Sequence, residues 1–304
     1  MFEYQLHYPI YNYEGQMLFP EGMVLTEEVL KDHIASDPIQ YPKIKVMAFD
    51  TIEKDILRLI ENPPYLTIFS DETQRKILLT MMSEVELPLP ALHTLNRFKQ
   101  IDPYTYRHLL MVFALSVLLA IILIDDPKNL TRDIIACPTH DIGKSSIPLD
   151  ILIKDSPLTK KELNILRHHT VAGYALMSYY FKDLNNVSGI GARDHHERKN
   201  GTGYPTGKFV TDKIVDIIIV GDVYDALISP RPYRPVSFDN RTALEEITWM
   251  AERGQISDEV ARALVANNRS NRPHYNDLKL SLERRGTPPV ENSYGKIKDE
   301  PSDT

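Results

Sequence analysis

Two adjacent imidazoles, His195 and His196, run directly into Glu197-Arg198-Lys199-Asn200-Gly201-Thr202-Gly203-Tyr204-Pro205, a turn with two glycines and a proline. Imidazole is a ready metal ligand and glycine lets a backbone come close to a bound group, so this stretch sets candidate ligands beside a loop able to form the lip of a site. Upstream lies His140-Asp141-Ile142-Gly143-Lys144, a second adjacent ligand pair followed by a glycine and a cation; downstream, Asp222 sits within Gly221-Asp222-Val223-Tyr224-Asp225-Ala226-Leu227. Six of the ten histidines fall between His108 and His196. Their clusters are about 30 residues apart, the pattern expected when successive helices of a bundle each give a ligand to one centre. On a helix His140 and Asp141 would point about 100° apart, which lets the imidazole hold one ion while the carboxylate bridges two. Such a donor set suits iron, manganese, nickel or zinc.

The elements that must position these residues read mainly as helices. Residues 109–124 are apolar, broken only by Ser116. Sixteen such residues are short for a membrane span, which wants about 20, so the run is expected to be a core helix buried nearly all round, with His108 at its start. Asp102-Pro103 is an N-cap followed by proline, Thr159-Lys160-Lys161-Glu162 is a capping box before His168 and His169, and Ser257 caps a last helix. Helices are also expected from residue 130 to 140, with Pro138 marking a bend or final turn, up to about His196, and from about 212 to 228. The first 50 residues read as a small β-containing unit with turns at 11–15 and 20–22, a helix capped by Thr26 and a half-buried strand over 44–48. Helical spacing follows from Thr51, and a linker is expected between residues 87 and 101.

A net charge of -7 argues against a partner that is a nucleic-acid polymer, which would demand clustered Lys and Arg. The single cysteine, Cys137, allows no internal disulfide, and residues 1–10 lack the apolar run of a secretion signal, which together point to a cytoplasmic setting without membrane association.

The three motifs, in this order, resemble the HD-GYP domain, a branch of the HD phosphohydrolases that resembles cyclic di-GMP phosphodiesterases. The likeness runs from about Asp102 to about Ser270. It implies a mainly α, HD-type helical-bundle catalytic domain over 100–270, preceded by a small mixed α/β accessory region over 1–95; beyond these the composition turns polar, and a mobile tail is expected over 271–304. The rhythm Gly15-Gln16-Met17-Leu18-Phe19-Pro20-Glu21-Gly22 is similar to the accessory module that often precedes this domain.

By the same resemblance, His108, His140, Asp141 and Asp222 surround one divalent ion, and His169, His195 and His196, with the shared Asp141, surround a second. His168 and His169 compete for one position; His169, with Gly173 four residues on, fits the family's pattern. The ions are expected to be iron or manganese, with nickel or zinc compatible. About 3.5 to 4 Å apart, they would hold the scissile phosphate and a bridging hydroxide, so that cyclic di-GMP is opened to linear pGpG or on to GMP without a protein nucleophile. Asp141 and Lys144 carry the catalytic roles; Lys144, Gly203, Tyr204, Arg231 and Arg234 are implied to contact substrate. Signalling proteins with GGDEF domains and a second copy of this chain are the implied protein partners.

Three departures matter. Tyr104 stands where some members have a glutamate that helps hold a third ion, so two ions are expected. Asn200 replaces a frequent Asp, and Cys137-Pro138-Thr139 replaces the usual apolar approach to the His-Asp pair. Two other functions fit the same residues: a non-catalytic receptor for the dinucleotide or a signalling protein, and an enzyme for another cyclic dinucleotide or nucleotide phosphate.

Overall fold

The computed structural model describes residues 3–230, 236–281 and 283–289. It is mainly α-helical, with short strands confined to the chain before residue 89. Strands β1 (Glu3–Gln5), β2 (Ile10–Tyr11), β3 (Met17–Phe19) and β4 (Val24–Thr26) form two antiparallel pairs, β1 with β4 and β2 with β3. The chain reverses at the two expected turns, where Gly15 and Gly22 take φ of 81° and 78°, a left-handed conformation open to glycine at little cost. Thr26 caps α1 (Glu27–Ser36), its hydroxyl accepting from Val29 N at 3.2 Å.

The strand expected over 44–48 is shorter. β5 (Lys43–Lys45) is exposed along its length and pairs with β6 (Glu86–Pro88) in a two-stranded ribbon. β6 buries Leu87 and Pro88 while β5 stays at the exposed edge, and Val46 and Met47 bury themselves through a single 3-10 turn. Helices α2 (Ile52–Ile60) and α3 (Glu72–Ser83) follow, α2 burying Ile52, Ile56 and Ile60 at four-residue spacing.

The expected linker is a helix. α4 (Leu89–Ile101) starts inside it because Pro90 falls in the first turn, where no N–H is needed, and Ala91, Leu92, Leu95 and Phe98 give it a buried face. Asp102 then caps α5 (Pro103–Leu123), accepting from Thr105 N at 3.2 Å. α5 is long and apolar enough to cross a membrane, yet 83% of its most apolar window is buried by protein. It is the central core helix, with α2, α3 and α4 packed on it. Emptying its middle, as in Leu115→Ala, would cost about 2–5 kcal/mol.

Beyond α5 come α6 (Pro127–Asp133), two 3-10 stretches at Ile134–Thr139 and Ile142–Ser146, α7 (Leu149–Leu152), α8 (Lys160–Arg167), α9 (His169–Phe181), α10 (Val187–Asp194), α11 (Lys213–Ile228), α12 (Asn240–Glu252) and α13 (Asp258–Asn267). One cluster of buried apolar side chains runs from Leu6 to Leu264, so the N-terminal region and the bundle share a core. Polar contacts add to it: Tyr13 N donates to Tyr180 Oη at 2.9 Å, and Lys182 pairs with Asp37 at 2.9 Å.

The region expected to be a mobile tail lies against α12 over its described part. Leu278 is buried, and Glu245 accepts from the backbone N–H groups of Arg285 and Gly286 at 3.1 and 2.9 Å. Composition alone hid this, because one apolar side chain and one carboxylate are enough to hold a polar segment.

Candidate metal centre

Five segments converge on one point. His108 lies in the second turn of α5, which fixes its direction through the buried stem of that helix. His140 and Asp141 fall between the two 3-10 stretches, and no α-helix runs to His140 as the sequence led us to expect. Pro138 removes a backbone donor there, and the chain winds into tighter turns. α8 opens with the expected capping box, Thr159 Oγ1 accepting from Glu162 N at 3.2 Å and Glu162 Oε2 from Thr159 N at 2.7 Å. It leads to His169, the first residue of α9. His195 caps the C-terminus of α10, His196 follows it, and Asp222 lies on α11.

Gly143 and Gly173 explain how Asp141 comes within reach of His169. A Cβ on Gly143 would lie 1.9 Å from the His169 carbonyl oxygen and 2.3 Å from Gly173 N. The two backbones touch at Gly143, where there is no room for a side chain, while a Cβ on Gly173 would meet Ala192 Cβ at 2.9 Å.

The structure gathers seven of the predicted residues into two groups, His108, His140 and Asp222 in one and Asp141, His169, His195 and His196 in the other, with the candidate ligand atoms of each group within 4.8 Å of one another. Asp141 faces both. Its Oδ2 is 3.5 Å from His108 Nε2 and 3.6 Å from His140 Nε2; its Oδ1 is 3.3 Å from His169 Nε2 and 3.5 Å from His195 Nε2.

Ring tautomers decide what this arrangement suits. His169 Nδ1 lies 2.6 Å from the Leu166 carbonyl, His195 Nδ1 2.8 Å from that of Ala192, and His140 Nδ1 3.4 Å from that of Cys137. A carbonyl can only accept, so each Nδ1 carries the proton and each Nε2 presents a lone pair. Those lone pairs meet: Nε2 of His108 and His140 are 3.3 Å apart, as are Nε2 of His169 and His195. Among the described residues the buried Oδ1 of Asp141 has no hydrogen-bond partner. Acceptors converging on acceptors in a dry site are repulsive unless a cation stands between them, and the donor set fits divalent metal.

Electrostatics agree. Burial lowers the pKa of His140 and His169 to about 3 and that of His196 well below the ordinary range, so these rings stay neutral and available as ligands. For Asp141 burial acts upward but is outweighed by the Lys144 ammonium beside it, and for Asp222 burial is likewise outweighed by its close contact with His108; both carboxylates stay ionised.

A family model described as the HD domain matches residues 81–260, more than half of the sequence. The chain belongs to the HD domain family. Among curated relatives it is 42% identical over 102 residues to "Cyclic di-GMP phosphodiesterase response regulator RpfG" of Xanthomonas campestris, covering 33% of this chain and 27% of that protein. It is 38% identical over 183 residues to "Cyclic di-GMP phosphodiesterase PA4108" of Pseudomonas aeruginosa, covering 58% of this chain and 42% of that one. It is 29% identical over 226 residues to "3'3'-cGAMP-specific phosphodiesterase 3" of Vibrio cholerae, covering 68% and 45% respectively. The match thus spans less than half the length of each of these relatives.

Around the centre the HD domain opens a cavity of about 340 Å³, whose wall includes Tyr104, Lys144, Arg198, Tyr204 and Met250 besides five of the seven candidate ligands, with His140 and His195 behind it. Lys144 Nζ is 2.5 Å from Asp141 Oδ2, so the predicted phosphate-binding cation also neutralises the shared carboxylate. The Tyr204 ring stacks on His196, centroids 4.7 Å apart, with the Arg167 guanidinium 5.0 Å from its centroid. Gly203 differs from expectation. It does not line the cavity; a Cβ there would lie 2.4 Å from Glu197 Cα and 2.5 Å from Arg198 N, so the glycine serves the folding-back of the loop on its own backbone. Arg231 and Arg234 lie outside the described residues. His168, the competitor of His169 for the ligand position, is fully buried beneath the N-terminal strands, its ring 6.2 Å from that of Tyr4.

Sequence reasoning missed several supporting side chains. Glu197 is fully buried and accepts from Thr206 N and Oγ1, both at 2.7 Å, which pins the loop beside His196; its place between His196 and the glycines was the available signal. Arg167, two residues before His169, had no signal beyond proximity. Tyr65, far upstream, reaches Asp225 behind His108, and no local pattern pointed to it.

Proposed function

We propose that the chain is a metal-dependent phosphodiesterase that opens cyclic di-GMP to linear pGpG, using two divalent cations held by His108, His140, Asp141 and Asp222 and by Asp141, His169, His195 and His196. The observation that carries this reading is the pair of facing Nε2 contacts at 3.3 Å on either side of one shared carboxylate. Divalent ions would supply positive charge for a phosphoryl group and activate a water near neutral pH.

The protein's own residues account for the remaining needs. The neutral imidazoles orient by their backbone bonds and need no rearrangement to act as ligands. Lys144, at the edge of the cavity and beside Asp141, is set to meet a phosphate oxygen once substrate enters. Tyr204, held between His196 and Arg167, is a fixed part of the cavity wall against which substrate would rest. Tyr104 leaves no carboxylate at the place of a third ion, which favours release of the linear dinucleotide over further hydrolysis to GMP.

A second substrate reading has its own support, since one relative covering 68% of this chain is named for 3'3'-cGAMP. The test is anaerobic turnover of cyclic di-GMP and 3'3'-cGAMP in parallel, with iron or manganese added, resolved by chromatography. Metal-dependent pGpG from cyclic di-GMP, abolished in Asp141→Ala, is expected; preferential cleavage of 3'3'-cGAMP would replace the substrate, and no product with metal bound would leave a receptor.

A further inference from the structure

Asp225 lies one turn beyond Asp222 on α11, fully buried, and its two oxygens have different partners. Oδ2 is 2.7 Å from His108 Nδ1. Oδ1 accepts from the Tyr65 hydroxyl in a short hydrogen bond, with Ser229 Oγ 3.3 Å away. Arg107 joins this cluster: its Nη1 is 2.7 Å from Tyr65 Oη and 2.6 Å from Ser229 Oγ, and its Nη2 is 3.8 Å from Asp225 Oδ2.

The proton directions in this cluster are fixed by chemistry. A guanidinium only donates and a carboxylate only accepts, so the Tyr65 hydroxyl accepts from Arg107 and donates to Asp225, and His108 Nδ1 carries its proton towards Asp225. That leaves the His108 Nε2 lone pair aimed into the metal centre, where Asp222 Oδ1 is 3.0 Å and His140 Nε2 3.3 Å away. Burial, reinforced by the charge of Asp225, holds the Tyr65 phenol well above its ordinary pKa, which keeps it a donor. His108 is the one ligand of its group whose outward nitrogen faces a carboxylate, since His140 leans on a carbonyl at 3.4 Å.

Tyr65 comes from the segment between α2 and α3, outside the residues matched by the HD domain, and stands 160 positions from Asp225 in sequence. We infer that Tyr65, together with Arg107, is a positioning residue for the metal centre, holding Asp225 so that His108 presents one tautomer and one ring orientation to its ion. The N-terminal region thereby supplies an outer part of the centre. The inference rests on the metal-centre reading above.

The test compares Tyr65→Phe with Tyr224→Phe. Tyr224 is equally buried and loses a comparable hydroxyl, but its partners are Asn240 and Asn268, at 2.6 and 3.2 Å. Mn²⁺ binding is measured by competition with a chelating dye, and the His108 tautomer by ¹⁵N spectroscopy of the metal-free protein. Outer partners of metal ligands are worth about 10- to 100-fold in affinity. Tyr65→Phe is expected to lose that factor for one of two ions and to populate both His108 tautomers, with kcat lowered and KM kept, while Tyr224→Phe keeps wild-type binding. Unchanged Mn²⁺ affinity in Tyr65→Phe, or retention there of the Nδ1–H tautomer alone, overturns the inference. Should that variant not fold, Arg107→Lys removes the fork that holds Tyr65 and carries the same two expectations. If the wild-type chain takes up no Mn²⁺, the metal-centre reading fails, and the tautomer comparison alone decides the role of Tyr65.

Discussion

Gly143→Ala is the substitution whose effect follows most directly from geometry. The new Cβ would start 1.9 Å from the His169 carbonyl oxygen and 2.3 Å from Gly173 N, both backbone atoms that cannot swing aside. Since Cβ atoms do not approach closer than 3.0 Å, the 3-10 stretch Ile142–Ser146 and α9 must separate by at least about 1 Å. Asp141 travels with that stretch, whereas His169 travels with α9. Metal sites accept deviations of only about 0.2 Å in ligand distance, so one group should lose its ion or bind it about 10- to 100-fold more weakly. Overpacking of this kind also costs about 1–3 kcal/mol of stability. Urea unfolding and chelator competition measure the two effects separately. Gly254→Ala is the control: φ there is 65°, but nothing lies within 4 Å of the new atom, so a loss of about 1 kcal/mol without any change in metal binding is expected. Wild-type metal affinity in Gly143→Ala would refute the close-contact argument.

Other expectations concern the metal-free chain and the ion count. His140 and His169 have folded pKa values of about 3 against an ordinary 6.5, so the unfolded chain binds protons that the folded one refuses. Stability of the metal-free protein should therefore rise with pH from about 3 to about 6.5 and level off above, by up to about 1.4 kcal/mol per pH unit for each ring; a urea midpoint that falls over this range contradicts the buried, neutral assignment. Burial, helped by the charge of Asp133, pushes the Cys137 thiol far up, so iodoacetamide should leave the native chain unlabelled at pH 8 and react fully in urea. Metal analysis of active protein should give two ions per chain; three would show that Tyr104 does not mark a missing ligand position.

Local chemistry was legible in the sequence where a residue's partner lies within a few positions. Thr26, Asp102, Thr159 and Ser257 cap their helices as expected, because a cap is decided within one turn. Of the seven candidate ligands, His140-Asp141 and His195-His196 stand out as adjacent pairs, whereas His108, His169 and Asp222 came from the resemblance to the HD-GYP domain. What could not be read depended on distant packing. Pro88 and Pro90 look like a break until the ribbon and α5 are seen to receive α4. The alternation at 44–48 promised a covered strand, but β5 stays at the exposed edge. Gly203 suggested room for a ligand, and the space is taken by the chain itself. Tyr65 had no motif around it, since its role comes from a contact 160 positions away.

The unbroken core from Leu6 to Leu264 has a consequence for how such a chain can change over evolutionary time. A regulatory segment joined by a flexible tether can be exchanged for another with little effect on the catalyst. Here the N-terminal segment shares its core with the HD domain, and grafting a foreign segment in its place would uncover α5 and take Tyr65 from Asp225 in one step. Sequence drift on either side of residue 95 is therefore coupled, and a substitution in the first hundred residues can reach the histidine cluster through that shared core.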